Sequence, residues 1–165
     1  MSTIIGIDPG ITGAIAVFVN GGALDVYDIP TMQRNKTGTA QMVNGPALAN
    51  MLEGRGIEHA YLELVKGMPR IKGGGSSMGA TSAFNFGRTF GALEQALASA
   101  KIPVTLVPPE VWKRRAGLVG AEKDASRTLA LRCWPTFAEK LARKKDVGRA
   151  EALLIARYGA HDAND

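Results

Sequence analysis

The sequence has little cysteine: Cys133 is the single thiol among 165 residues. A lone cysteine excludes an internal disulfide and a cysteine-based zinc cluster, and it fits a reducing compartment. The sequence also lacks an apolar run near the ~18 residues that a membrane span needs. Its N-terminus lacks the basic and then apolar pattern of a secretion signal. We therefore expect a cytoplasmic protein with no membrane association.

The composition predicts a globular protein with a basic surface. Apolar residues make up 45% of the chain, and the length suits one domain over residues 1–165 with a true hydrophobic core. The formal net charge is +5 and the isoelectric point is about 9.6. A basic balance of this kind favours an anionic partner such as nucleic acid.

The positive charge is concentrated in the last part of the chain. Residues 109–149 contain eleven Lys or Arg side chains and five acids, an excess of six positive charges against five for the whole chain. A one-sided basic surface suits a phosphate backbone. The alternative is an ordinary solvated helical face.

Hydrophobic periodicity predicts an α/β fold with a mixed five-stranded sheet flanked by helices. The tight-turn signal at residues 20–22 (NGG) makes the first three strands an antiparallel meander, and the last two strands are expected to run parallel. Strands are predicted at residues 3–8, 13–19, 23–29, 58–65 and 104–107, and a loop at 30–38. Helices are predicted from about 46 to 52 and at 84–99, 110–115, 122–133 and 146–158.

Four acids stand where acids are unusual. Asp8 and Glu63 end apolar strands, Glu151 lies on the inward stripe of the last helix, and Asp146 lies at the start of that helix. Oxygen ligands select hard ions, so the group predicts Mg²⁺ or Mn²⁺, and two ions about 4 Å apart would suit phosphodiester cleavage. Three alternatives remain: Asp8 caps its turn, Glu63 faces water from an edge strand, and Asp146 is an N-cap.

Two further segments have open interpretations. Residues 66–81 are rich in Gly and Ser and carry Lys66, Arg70 and Lys72, so they form either a loop that wraps nucleic acid or a plain linker. They lack the end of a Walker A motif, so no nucleotide cofactor is expected. In the next helix, Gly87 and Gly91 leave a smooth groove for internal packing or for a dimer contact.

The ordered set of motifs resembles the RuvC-type Holliday junction resolvases, whose fold is ribonuclease H-like. Residues 5–10 (IGIDPG) followed by Thr12 and Gly13 resemble the first acidic motif of that family. The second and the terminal-helix motifs are matched by residues 61–63 (YLE) and 149–156 (RAEALLIA). Residues 84–88 (FNFGR) and 107–113 (VPPEVWK) look like the phage-encoded branch.

The resemblance implies a homodimer that binds a four-way DNA junction and nicks two opposed strands symmetrically, in a bacterial or phage-infected host cytoplasm. It implies metal ligands at Asp8, Glu63 and Glu151, with Asp146 as the fourth. It places Lys113 and Lys123 near the scissile phosphate as catalytic residues. The residues that we expect to contact DNA are Lys66, Arg70, Lys72, Arg88, Lys113, Arg114, Lys123 and Arg127.

The last helix departs from the family pattern. The family places an acid or His three residues before the final acid, and this chain has Gly148 there. Asp146 is five residues before Glu151, and five helical residues turn through about 500°, so a regular helix would not stack the pair. We therefore expect Asp146 to lie just outside the helix.

Three rival functions compete with junction resolution. A sugar kinase or actin-like ATPase shares a related sheet, but it needs two such domains and a second phosphate motif. A junction-binding protein without catalysis would retain the basic surface. A related nuclease would act on other branched DNA or on RNA–DNA hybrids.

Overall fold

The computed structural model describes residues 2–64 and 79–162, with side chains as far as residue 161. Lys66, Arg70 and Lys72 therefore lie outside the described residues. The described residues form seven strands: β1 (Thr3–Asp8), β2 (Ala14–Val19), β3 (Gly22–Asp28), β4 (Thr31–Gln33), β5 (Gln41–Val43), β6 (His59–Glu63) and β7 (Val104–Val107). Within the same residues there are five α-helices: α1 (Gly45–Leu52), α2 (Ala80–Ser99), α3 (Pro109–Arg115), α4 (Ala125–Cys133) and α5 (Val147–Asp162). Within the described ranges, no helix has the length and apolar character to cross a membrane.

The main sheet has the strand order β3-β2-β1-β6-β7. Its first three strands pair antiparallel, whereas β6 runs parallel to β1 and β7 parallel to β6. The predicted meander followed by two parallel strands is thus confirmed. Parallel strands need long connections, and α2 provides the one between β6 and β7.

The predicted loop at residues 30–38 is partly wrong, because β4 and β5 form a separate two-stranded hairpin. The backbone NH of Arg34 donates to the carbonyl of Ala40 over 2.8 Å and extends the pairing beyond the strands. A three-residue strand is too short to show an alternating hydrophobic pattern, so periodicity could not predict this hairpin.

Alternation along β1 separates two hydrophobic layers. Ile5 and Ile7 pack on one face of the sheet with Leu48 of α1 and Leu93 of α2. Ile4 faces the other layer, which α5 covers together with α3 and α4. Because strand side chains alternate, Gly6 and Asp8 lie on the same face as Ile4, toward α5.

Small residues let α5 lie directly on β1. A Cβ on Gly6 would be 2.2 Å from the nitrogen of Ala156 and 2.5 Å from the oxygen of Ala152, so only glycine fits. One turn before Ala152, Gly148 of α5 also packs closely, because a Cβ on it would be 2.9 Å from the Asp8 carboxylate. Gly148 is four helical residues from Ala152, a rise of about 6 Å, and Asp8 is two strand residues from Gly6, a rise of about 6.6 Å. Because the two rises nearly match, both close contacts form along the same line between α5 and β1. The fold therefore carries the start of α5 to the carboxyl end of β1.

Candidate metal and nucleic-acid site

Asp8 and Glu63 end neighbouring parallel strands. In the register of β1 and β6, Ile7 is opposite Leu62, and one further residue along each strand brings Asp8 beside Glu63. Neighbouring strands lie about 4.8 Å apart. Both side chains point to the face that α5 covers, because Asp8 follows Gly6 and Glu63 follows Tyr61 at two-residue steps.

Glu151 approaches the same edge from α5. Its Oε1 accepts a hydrogen bond from the Ser126 hydroxyl of α4 over 3.1 Å and lies 3.9 Å from the Lys113 ammonium of α3. Only 19% of the Glu151 side chain is exposed. Leu154 and Ile155 on the next turn are buried, which confirms the predicted inward stripe.

Asp8, Glu63 and Glu151 are close enough for their charges to act on one another. Burial raises the pKa of Asp8 well above its ordinary value, and the nearby charges of Glu151 and Glu63 raise it further, while Lys113 opposes them. Burial likewise raises the pKa of Glu63; the hydrogen bond from Trp112 lowers it, and the charge of Glu151 raises it. Three partly buried carboxylates that repel one another require a cation or protons.

The donor set suits a hard divalent cation. Carboxylate oxygens alone, with no His or Cys among them, are the ligands that Mg²⁺ and Mn²⁺ prefer. As the side chains stand, residues 2–64 and 79–162 contain no group of three or more His, Cys, Asp or Glu at the spacing of an assembled metal site.

Asp146 pairs with an arginine. It belongs to a 3₁₀ turn, Lys144–Asp146, just before α5, so the prediction that it lies outside the helix is confirmed. Its carboxylate is 3% exposed and accepts hydrogen bonds from the guanidinium of Arg143 over 2.7 Å and from the Arg143 backbone NH over 2.9 Å. Those bonds hold the pKa of Asp146 below its ordinary value. The structure therefore gives Asp146 an ion-pair partner, Arg143, and its role as a fourth ligand stays a prediction.

The predicted basic residues differ in their surroundings. Lys113 contacts the acids through Glu151, whereas Lys123 lies in the exposed turn before α4 and Arg114 on the exposed side of α3. Arg127 was predicted to contact DNA, but its guanidinium forms two 2.8 Å hydrogen bonds with Asp124. Arg88 is exposed on α2, far along the chain from these acids.

Sequence reasoning missed three residues that contact the acids. Trp112 donates its indole NH to Glu63 Oε2 over 2.7 Å, and Ser126 donates to Glu151. Gly148 contacts Asp8, since a Cβ there would be 2.9 Å from Oδ2 and 2.6 Å from the carbonyl oxygen of Thr12. The available signals were the tryptophan immediately before Lys113 and the glycine where the resembling family carries a ligand.

The exposed face of α2 bears on whether Gly87 and Gly91 serve internal packing or a dimer contact. Neither Gly87 nor Gly91 has a described atom within 4 Å of where a Cβ would stand, and Phe84 one turn earlier is 66% exposed. Internal packing among the described residues is therefore the wrong interpretation of this pair of glycines. The dimer contact stays a prediction.

Comparison with known proteins finds a sequence relative and similar solved structures. No family model matches the chain. Over 101 residues, 61% of its length, it is 36% identical to the chloroplastic Holliday junction resolvase MOC1 of Chlamydomonas reinhardtii, and it spans 11% of that protein. The structure of T. thermophilus RuvC with a Holliday junction substrate matches 99% of the chain, with a TM-score of 0.62 and 20% identity.

A second structure of Thermus thermophilus RuvC matches 97% of the chain with a TM-score of 0.54 and 15% identity. These matches cover 96% of each RuvC chain, so the likeness extends over the whole fold. The resemblance inferred from the motifs is thereby confirmed, while the phage-encoded branch stays a prediction. The chain has the ribonuclease H-like fold of RuvC and a long segment similar in sequence to a Holliday junction resolvase.

Proposed function

We propose that this chain is a metal-dependent endonuclease that resolves four-way DNA junctions by paired, symmetric nicks. The observation that carries the proposal is the meeting of Asp8, Glu63 and Glu151 at one edge of the sheet, where burial and mutual repulsion raise the pKa values of Asp8 and Glu63. The similarity to a named Holliday junction resolvase and the RuvC fold support DNA junctions as the substrate.

Asp8, Glu63 and Glu151 would hold Mg²⁺ or Mn²⁺, with two ions expected in each site. Such ions, when bound, polarise the phosphate and lower the pKa of the attacking water. Lys113 is 3.9 Å from Glu151 and would bring a positive charge toward the scissile phosphate. Asp146, the fourth ligand implied by the resemblance, stays a prediction, and its pairing with Arg143 argues for a structural role.

DNA would be held by the exposed cations near this edge. Arg114, Lys123, Lys144 and Lys145 are exposed, and each can pair with a phosphate. Arg127 and Arg149 are less available, because Arg127 pairs with Asp124 and Arg149 with Asp28. We expect binding to weaken steeply with salt.

Paired nicking needs two active sites, so the proposal includes a homodimer. The exposed face of α2, with Phe84, Gly87 and Gly91, is the surface that we assign to the contact. Gly91→Arg would place a charged side chain in that contact, and a Cβ at this position meets no described atom within 4 Å beyond its own helix backbone. Light scattering should give a dimer for the unmodified chain and a monomer for Gly91→Arg.

A cleavage assay tests the activity. With Mg²⁺ or Mn²⁺, the protein should nick a synthetic four-way junction in two opposed strands and leave linear duplex intact. Asp8→Asn should abolish nicking and keep junction binding, because it removes a ligand and none of the cations. Tight binding without nicking in either ion would indicate a junction-binding protein, and preference for flaps or RNA–DNA hybrids would indicate a related nuclease.

A further inference from the structure

We infer that Trp112 and Ser126 are positioning residues that aim two of the acids, each by occupying one carboxylate oxygen and leaving the other for a metal ion. This inference rests on the proposed metal site and adds to it the groups that orient its ligands. It concerns α3 and α4, which supply no ligand themselves. Neither residue was expected to have a role from its sequence position.

Trp112 has the geometry of a permanent donor. The residue is 1% exposed, and its Nε1 is 2.7 Å from Glu63 Oε2. An indole NH can only donate, and a buried one needs an acceptor. Glu63 is thereby held by Oε2, and Oε1 is the oxygen left for a cation.

Ser126 does the same for Glu151. The residue is 5% exposed, and its hydroxyl donates to Glu151 Oε1 over 3.1 Å. Lys113 lies 3.9 Å from that same oxygen and 5.2 Å from the centre of the Trp112 ring, so it adjoins both positioned acids. Oε2 of Glu151 is the oxygen left for a cation.

Groups that orient ligands typically change metal affinity by 10–100-fold when they are removed. We therefore expect Trp112→Phe, which keeps the ring and removes the donor, to weaken Mn²⁺ binding by ~10-fold or more, with Ser126→Ala acting in the same direction. Trp134→Phe is the matched control. Trp134 packs edge-on against Phe18 with ring centres 5.8 Å apart, and its loss should leave Mn²⁺ affinity unchanged.

The decisive experiment is a pair of double-mutant cycles on Mn²⁺ affinity, measured by calorimetry and by electron paramagnetic resonance of the free ion. The effect of Trp112→Phe should vanish in Glu63→Ala, which removes the acceptor oxygens, and persist in Glu151→Ala, and Ser126→Ala should show the reverse pattern. A general loss of stability would lower affinity in every background, and that result would overturn the inference.

Fluorescence supplies a test that leaves Trp112 intact. In Trp134→Phe, Trp112 is the single tryptophan, and Mn²⁺ should quench its emission with the same midpoint as calorimetry. Quenching without junction cleavage would leave the inference standing and refute the proposed function. Mn²⁺ binding that does not change Trp112 emission would refute the inference alone, and absence of any Mn²⁺ binding would refute both.

Discussion

Gly148 at the start of α5 contacts Asp8 so closely that a Cβ on it would lie 2.9 Å from the Asp8 carboxylate and 2.6 Å from the backbone oxygen of Thr12. The second distance is to backbone, which cannot rotate away. This contact seats Asp8 at the edge of the sheet and also excludes any ligand from position 148. Position 148, where the resembling family carries an acid or His, is thus occupied by a glycine that supports the site through packing.

Gly148→Ala should therefore damage both stability and activity. We expect a loss of about 1–3 kcal/mol in the free energy of unfolding, the usual cost of overpacking, together with displacement of Asp8 and slower nicking. Gly45→Ala is the control, because a Cβ there meets nothing within 4 Å. Denaturant unfolding measures the difference, and equal stability of the two variants would contradict the close contact.

Gly148→Asp extends the test. It introduces the acid that the resembling family carries three residues before its final acid, but the site has no room for it. We expect Mn²⁺ affinity to fall. A gain in affinity or in nicking would show that the position can hold a ligand.

Asp8 should destabilise the metal-free protein. Its raised pKa means that the charged form is disfavoured on folding, so stability decreases as pH rises from the unfolded-state pKa of ~3.9 to the higher folded value. Asp8→Asn should raise the melting temperature at neutral pH without divalent ions, because it removes the charge that burial and the neighbouring acids disfavour. Mg²⁺ should stabilise the unmodified protein and have little effect on this variant.

Asp28→Asn is the matched control for Asp8→Asn and should change stability in the opposite direction. Hydrogen bonds from Arg149 over 2.6 Å lower the pKa of Asp28, so its charge favours folding, and this contribution is lost only as pH falls through the lowered pKa. Calorimetric scans in EDTA and in Mg²⁺ make the comparison. A lower metal-free melting temperature for Asp8→Asn would contradict the account of repelling acids.

Asp146→Asn separates a structural role from ligation. Because the charge of Asp146 is paired with Arg143, its removal should cost about 1–3 kcal/mol of stability. The stability that the pair provides is present above the ordinary carboxyl pKa and lost as pH falls through the lowered one. Mn²⁺ affinity should change by less than about twofold; a decrease as large as that of Glu63→Gln would make Asp146 a ligand.

Lys113 should act on the rate more than on metal binding. Lys113→Gln removes a charge 3.9 Å from Glu151, and we expect nicking to slow by ~10²-fold, the usual effect of losing one electrostatic stabiliser, while Mn²⁺ still binds. Lys123→Gln, in an exposed turn, should instead weaken junction binding and its salt dependence. Single-turnover kinetics at saturating enzyme distinguish the two, and identical profiles would contradict the different placements of these lysines.

Local pattern was enough to predict the main sheet and the placement of Asp8, Glu63 and Glu151 on their strands and helix. The apolar run that ends at Asp8 and the alternation around Glu63 are visible in short windows, and so is the helical stripe that includes Glu151. The contacts that position these acids are not local. Trp112 and Glu63 are 49 residues apart in the chain, and no periodicity shows that an indole will face a carboxylate.

Asp146 illustrates the same limit. Its spacing from Glu151 predicted correctly that it lies outside α5, but its partner Arg143 belongs to a cluster of basic residues that all look suited to DNA. Arg127 is a second such residue, since its pairing with Asp124 is one helical turn away and competes with any phosphate. Charge counts predict a basic surface, whereas pairing decides which cations remain available.

Anomalous diffraction from a crystal soaked in Mn²⁺ tests the shared metal site most directly. We predict anomalous peaks in direct contact with carboxylate oxygens of Asp8, Glu63 and Glu151, with Trp112 still bonded to Glu63 and Asp146 still paired with Arg143. Ordered Mn²⁺ bound elsewhere, or the three carboxylates directed to separate places with no peak between them, would contradict the account.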